Sequence, residues 1–409
     1  LQEVSVISEK SKINSVPSIK RFSLPYMITS SHSRPVLVIA SDMPLGRIIP
    51  NEFQEKDCSL TPWIFSLFQV LEKQTEYDIH WITLKKYVSR HTVRSLNNQT
   101  IHILPDSSLA EGLLSNHFSA SRKIRRLLDE LKPDLIHVWG IELAYATACK
   151  MQLQTKLLSY QGSLVAYCQR SKMKTFPKLQ AFWEKQTTPK YRHISCESPW
   201  ARDRIQEISP SSQVSLIEYG VEQSFYHVER SPSATPECLF VGNISELKGV
   251  KYMVQAFRQP SLQHVRLYIA GSGPLRKKLE PISTPNIYWL GTLQRPELQK
   301  RLSSAWCLVH PTLADSSPNC VKEARVAGLP VITTCEGGQT QYVVDEKSGY
   351  IIPVRDSEAI SQAVLSLTES LEKNIAMGLY EIEEVRKALN IQLTCDKFLS
   401  LYRSLIRDK

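Results

Sequence analysis

The chain has 409 residues, 42% of them hydrophobic, which is too much for one ordinary core and suits two. A formal net charge of +10 favours an anionic partner such as nucleotide phosphate or an anionic membrane surface, and no uninterrupted apolar run is long enough to span a bilayer. The cysteines, nine in number, are scattered without a CxxC pair, the pattern expected of a protein in a reducing cytosol.

Residues 1–34 are rich in Ser, Lys and Pro, lack sustained apolar periodicity and lack the apolar core of a signal peptide, so they read as a mobile arm. From Pro35 the pattern changes. VLVIA (36–40), IHWITL (79–84), IHIL (101–104), LIHVW (135–139) and LLSY (157–160) are β-rich runs, separated by helix-like segments at 62–72, 121–131 and 142–151. Such alternation predicts a parallel sheet with right-handed crossovers. Between 194 and 217 two short strands flank a helix opened by Ser198 and Pro199, and a first domain, 35–221, closes at Glu218-Tyr219-Gly220-Val221. Residues 222–237 are polar, contain proline and read as a linker.

A second alternation fills residues 238–385. CLFVG (238–242), VRLYIA (265–270), IYWL (287–290), CLVH (307–310) and PVIT (330–333) are predicted strands, with helices at 248–257, 274–279, 296–304, 318–327 and 357–367. Residues 386–409 are expected as a helical segment packing back on the first domain. Three strand ends carry small or polar turns: Gly242-Asn243 ahead of Lys248, Gly271-Ser272-Gly273, and Leu290-Gly291-Thr292. Glycine permits close backbone approach, so several such turns at successive strand ends form a plausible ligand rim.

The stretch from Trp306 to Thr333 is the most informative. It reads as a strand, a polar loop, a helix with Ser317 as N-cap and Pro318 at its first position, a C-terminal cap at Gly328, and another strand. The first turn would present the N–H groups of Asn319, Cys320 and Val321 at a strand's carboxyl end, where phosphate binds. Asp315 and Glu323 bracket that turn. Glu323 lies among Val321, Ala324 and Ala327 on the inward side, and an inward acid requires a partner such as a ligand hydroxyl.

The blocks LFVGNISELKGV, LYIAGSGPL, WLGTL, HPTLADSSPNCVKEARVAGLPVI, GGQTQYVVDEKSGYIIP and RDSEAISQAV occur in an order that resembles the retaining glycosyltransferases of family 4. The first half is similar more loosely, through PDLIHVWG, YQG, HISCESPWARD and VSLIEYGVE. The resemblance implies an α/β chain of the GT-B type, with two Rossmann-like parallel-sheet domains facing across a cleft that holds the acceptor. It places the family's paired acids on Asp315 and Glu323, contacting donor-sugar and ribose hydroxyls. It gives Lys248 and the backbone of Asn319, Cys320 and Val321 to the diphosphate, Leu290, Gly291 and Thr292 to the base, and Gly271, Ser272 and Gly273 to the floor beside it. Gly242, Asn243 and Ser317 belong to the same donor site. The implied partners are a nucleotide-sugar donor and a saccharide or lipid-linked acceptor, with an anionic membrane surface near the basic segments 122–126 and 170–178. No cofactor, metal or nucleic acid is expected.

Several positions depart from the family pattern. Asn243 stands where an Arg commonly accompanies the clamping Lys, Asp315 is one methylene shorter than the usual Glu, and Gln341 replaces an acid after the double glycine. Tyr219 replaces a frequent Asn, Trp139 and Gln161 stand where histidines often occur, and the glycine pair expected near Gly46 is missing. His137 reads as a structural histidine at a strand end. These departures keep open an inert nucleotide-sugar-binding protein, and the shared architecture keeps open a nucleotide-sugar 2-epimerase.

Overall fold

Runs such as VLVIA and LIHVW are apolar throughout because both of their faces are covered. All five residues of β1 (Val36–Ala40) and of β5 (Leu135–Trp139) are buried, as a parallel strand between two helical layers requires. The computed structural model describes residues 34–53, 62–107, 112, 117–141, 144–172 and 175–407; the predicted arm, apart from Arg34, and the start of the predicted 142–151 helix lie outside them.

The first sheet adds β2 (Asp78–Lys85), β3 (Thr92–Leu96), β4 (Gln99–Pro105), β6 (Thr155–Tyr160), β7 (His193–Cys196) and β8 (Gln213–Leu216), in the order β3-β4-β2-β1-β5-β6-β7-β8. It is parallel except at one edge, where β3 runs antiparallel to β4 through a two-residue turn with Asn97 at φ +55°. The all-parallel expectation is corrected there. TVRSL alternates between half-buried and exposed positions, so this edge strand carries little apolar signal.

Helices Phe118–Leu131, Ala144–Cys149 and Pro199–Ile208 cover one face of this sheet. Helix Pro62–Leu71 and the long helix Ile391–Arg407 cover the other, where Phe398 and Tyr402 enter the core beside Trp139 and Tyr219. Burying one such aromatic contributes about 1.5–3 kcal/mol.

The second sheet contains β9 (Glu237–Val241), β10 (Arg266–Ala270), β11 (Ile287–Gly291), β12 (Cys307–His310), β13 (Val331–Thr334) and β14 (Gly349–Ile352). Its order is β11-β10-β9-β12-β13-β14, and every pairing is parallel. The order reverses between β9 and β12, opening the crevice in which doubly wound sheets bind ligands. The segment between the domains is packed rather than loose. Phe225 is buried in the second core, and Val221 bridges to Asn390.

Candidate functional site

Lys248 follows β9 and Asp315 follows β12, so their ion pair spans the point where the strand order reverses. His310, the last residue of β12, brings Nε2 to 3.3 Å from Asp315 Oδ2, and its Nδ1 lies 3.5 Å from the Cys320 thiol. Burial opposes ionisation of Asp315, but the Lys248 charge and the His310 hydrogen bond outweigh it and hold the carboxyl well below the usual range. Burial likewise opposes the Lys248 charge, and Asp315 overcomes it, raising the ammonium's pKa. His310 is lowered because burial exceeds the pull of Asp315, and burial pushes the Cys320 thiol up to about 12. An ionised pair beside a neutral imidazole and a protonated thiol offers directed charge without a thiolate nucleophile.

The loop carrying Lys248 is clamped to the loop after β12. Leu313 N–H and Thr312 Oγ1 donate to the Leu247 carbonyl at 2.7 and 3.1 Å. Gly249 has φ +67°, and a Cβ there would overlap the Pro311 carbonyl oxygen. The helix therefore begins at Val250 rather than at Lys248, which stays in the turn.

The helix after β12 also starts later than predicted, at Asn319. Pro318, with ψ 120°, takes the N-cap position, and its carbonyl accepts the N–H of Val321 at 3.1 Å. Val321 is thus not a free donor, whereas the N–H groups of Asn319 and Cys320 have no protein acceptor among the described residues. Ser317 is not a cap. Its hydroxyl donates to Glu197 Oε2 at 3.1 Å and lies 2.8 Å from Tyr342 Oη.

Glu323 faces inward as expected and lines a narrow cavity with Trp63, Glu222, Arg295 and Asn319. Its carboxylate accepts no protein hydrogen bond among the described residues. Burial pushes its pKa up to about 7, against the pull of Arg295 and Lys322.

The three predicted turns interlock through their backbones. Gly271 N–H donates to Gly291 O at 2.7 Å, and Ile244 N–H to Ser272 O at 2.8 Å. At Gly271, φ +142°, a Cβ would overlap the Gly242 carbonyl oxygen. Gly242, Asn243, Gly271, Ser272 and Thr292 line one open pocket of about 260 Å³; Gly273, Leu290 and Gly291 do not line it. The exposed Asn243 side chain makes no hydrogen bond among the described residues, so it does not cap the turn. Arg276 is held by Glu280 at 2.9 Å and does not stand in for the missing arginine.

The first domain is stitched to this loop. Ser198 caps helix Pro199–Ile208 and also donates to Ser316 O at 2.7 Å, and Tyr167 Oη accepts the Ser316 N–H at 3.1 Å. Lys322 Nζ lies 2.7 Å from Glu197 Oε2 and donates to Tyr219 O at 3.1 Å. Burial raises the pKa of Glu197 although Lys322 draws it down. Sequence reasoning missed His310, Glu197 and Lys322. The available signals were the HISCESPWARD block, which contains Glu197, and a lysine on a helix flanked by strands on both sides.

Residues 64–225 match the family described as Glycosyltransferase Family 4, and residues 235–370 match Glycosyl transferases group 1. The chain belongs to the group 1, family 4 glycosyltransferases. D-inositol 3-phosphate glycosyltransferase of Corynebacterium urealyticum is 26% identical over 220 residues, 49% of this chain and 51% of that protein. The chain spans about half the length of the curated relatives it matches. Sucrose-phosphate synthase from Thermosynechococcus elongatus superposes with a TM-score of 0.77 at 18% identity, covering 92% of this chain and 100% of that one. Anabaena HepE, solved with UDP and glucose, gives 0.64 at 11% identity, covering 91% of this chain and 100% of that one. These likenesses show the GT-B fold.

In this family 4 chain His137, Trp139 and Tyr219 serve the first core. His137 is buried in the middle of β5 rather than at its end, 2.6 Å from Tyr402 Oη and 2.7 Å from Ser159 Oγ, and accepts from Trp139 Nε1 at 3.1 Å. Tyr219 packs between Trp63 and Trp139, its ring tilted to both. Gln341 donates to Glu197 O at 3.2 Å, reinforcing the contact between domains. Among the described residues no group of three or more His, Cys, Asp or Glu is placed to hold a metal ion, and no helix is long and apolar enough to cross a membrane.

Proposed function

We propose that the chain transfers a sugar from a nucleoside-diphosphate sugar to a saccharide or lipid-linked acceptor, with retention at the anomeric carbon. The observation that carries this reading is the Lys248–Asp315 pair at the switch point, beside the open N–H groups of Asn319 and Cys320. The binding of UDP and glucose by HepE, which shares the fold, supports a donor of this class.

In the reaction the bond from the anomeric carbon to the diphosphate oxygen breaks, and a bond from the acceptor oxygen to the same carbon forms on the same face. The acceptor proton passes to the departing phosphate oxygen. Lys248 and the two N–H groups stabilise the charge that builds on that phosphate, and their fixed positions make the stabilisation effective. Asp315 orients Lys248 and retains lone pairs for a sugar hydroxyl, while Glu323 receives the ribose hydroxyls. The rim of Gly242, Gly271, Ser272 and Thr292 receives the base end of the nucleotide.

Mass-spectrometric screening of nucleotide sugars for hydrolysis and thermal stabilisation tests the reading, and NMR of the product anomer tests retention. A panel in which no sugar nucleotide is hydrolysed or stabilises the fold overturns it.

A further inference from the structure

Three histidines form a row on the first sheet that the donor site does not use. His80 of β2 brings Nδ1 to 3.0 Å from Nε2 of His102 on β4, and His102 Nδ1 lies 3.2 Å from Nε2 of His91, the residue before β3. The His80 and His102 rings stack at 5.3 Å, and at the far end His80 Nε2 lies 3.4 Å from Asp78 Oδ2. His102 is buried and His91 exposed, so the row runs from the sheet face to water.

A neutral imidazole has one N–H and one acceptor nitrogen, so the contacts around the row fix where its protons sit. With Asp78 accepting from His80 Nε2, His80 Nδ1 accepts from His102, and His102 Nδ1 accepts from His91. One added proton is taken up without loss: His80 Nδ1 becomes a donor, and His102 turns its own N–H toward His91. A second added proton has no such place, because two N–H groups then face each other at one end of His102 or the other. One bond between rings must break, and the exposed His91 is the ring that can carry its charge into water.

The surroundings leave this arithmetic intact. Burial, then the charges of His80 and His91, lower the pKa of His102 to about 4. That lies below the ordinary 6.5, so stability from His102 is present above about 6.5 and is lost as pH falls toward 4. From helix Phe118–Leu131, packed over β4, Lys123 reaches the Pro105 carbonyl at 3.0 Å and Arg125 the Ser121 carbonyl at 3.4 Å, while Arg122, Arg126, Asp129 and Glu130 are exposed. On β3, Arg94 sits in register with Ile101, on the opposite face from His102, and lies 2.6 Å from Glu52. Arg90, next to His91, is exposed, and Asp106 and His117 act on each other past the end of β4.

His91 secures the loop from β2 to β3. Residues 86–91 leave β2 at its carboxyl end, where Lys85 Nζ lies 3.0 Å from Asp42 Oδ1. Tyr87 rests on Phe53 at 5.8 Å, and Arg94 holds Glu52. Phe53 and Glu52 belong to the segment after β1 that also carries Arg47, 3.0 Å from Glu222 of the segment between the domains.

We infer that the row Asp78–His80–His102–His91 is a proton-operated catch: it holds the loop 86–91 against the first sheet and releases it when a second proton arrives. Acidification thereby loosens the first-domain edge that supports the segment after β1. The catch stands apart from the proposed transfer and does not rest on it.

The test is amide hydrogen exchange of the full chain at pH 7 and pH 5, corrected for the intrinsic pH dependence of exchange, with residues 307–334 of the second domain as reference. In wild type the protection of residues 86–96 should fall more than about tenfold at pH 5, the effect of one hydrogen bond lost and replaced by repulsion, with the reference unchanged. His91→Gln should keep its protection at both pH values, since an amide can donate to His102 or accept from it and takes up no proton. His91→Ala should be poorly protected at both. Nitrogen-15 spectra of the histidine rings in wild type should show His102 still neutral at pH 5. Equal wild-type protection at the two pH values, a loss shared by the reference, a fall in His91→Gln as large as in wild type, wild-type protection in His91→Ala, or a charged His102 at pH 5 overturns the inference.

Discussion

Lys322 and Glu197 belong to different domains, yet the ammonium of one lies 2.7 Å from the carboxylate of the other and neither is exposed. The same carboxylate accepts from Ser317 Oγ and from the Tyr219 N–H, so one buried charge ties the loop after β12, helix Asn319–Val326 and the first sheet together. A buried pair gains little over apolar packing, but removing one partner strands the other. Lys322→Met is expected to cost about 3–5 kcal/mol. Adding Glu197→Gln should recover much of that loss. Denaturant unfolding of both single variants and the double variant checks this, and a double variant as unstable as the sum of the singles would contradict the coupling.

Glu323 makes a prediction in pH. Its folded pKa of about 7 lies above the ordinary 4.5, so between those values the folded chain holds a proton that the unfolded chain has released. Stability from this group is therefore present below about 4.5 and is lost as pH rises toward 7. Glu323→Gln should lose that part of the decline, gaining on wild type from pH 5 to pH 8 in thermal unfolding. Parallel curves would refute the raised pKa. In the same site Glu323→Ala should weaken nucleotide binding by about 1–3 kcal/mol, the cost of a lost hydrogen-bonding partner in a narrow cavity, read by calorimetry.

Strands buried on both faces were legible in the sequence because burial leaves them continuously apolar, as in β1 and β5. Edge strand β3 was not, since half-exposed positions admit Arg94 and Ser95. The second-domain turns were legible because close backbone approach demands glycine, as the Gly271 carbonyl contact illustrates. The helix start was read one residue early. Ser-Pro suits a cap and first turn in isolation, but Ser317 finds Glu197 and Tyr342 instead. That competition, like the Lys322–Glu197 pair with its 125-residue separation, depends on how the domains meet, which local pattern does not encode.

Gly249 offers a backbone test of the switch-point geometry. An added methyl meets the Pro311 carbonyl oxygen, and φ +67° disfavours any side chain, so Gly249→Ala must move the turn that holds Lys248. A destabilisation of about 1–3 kcal/mol is expected from the strained backbone. Nucleotide affinity should fall as well, because the Lys248–Asp315 pair is displaced. Wild-type affinity in a folded Gly249→Ala protein would mean that the position of Lys248 is irrelevant to binding.

The final prediction concerns the number of cations at the diphosphate. Lys248 is already committed to Asp315, Arg276 to Glu280, and Asn243 stands free on the rim where the family commonly supplies an arginine. An amide can donate a hydrogen bond, but it lacks the charge and the fork of a guanidinium, and charge-assisted bonds are roughly twice as strong as neutral ones. Asn243→Arg should therefore tighten binding of a nucleoside diphosphate by roughly tenfold, about 1.4 kcal/mol. It should also raise turnover wherever departure of the phosphate limits the rate. Lys248→Ala removes the cation and leaves Asp315 as an uncompensated buried carboxylate facing the same phosphate, so affinity should be nearly abolished. Replacing Asp315 by Asn in that background should restore part of it, since the repulsive charge is gone. Calorimetric titration of the nucleoside diphosphate into the three variants separates the effects. Unchanged affinity in both single variants would place the phosphate elsewhere, whereas loss in Lys248→Ala without gain in Asn243→Arg would mean that the rim position does not reach it.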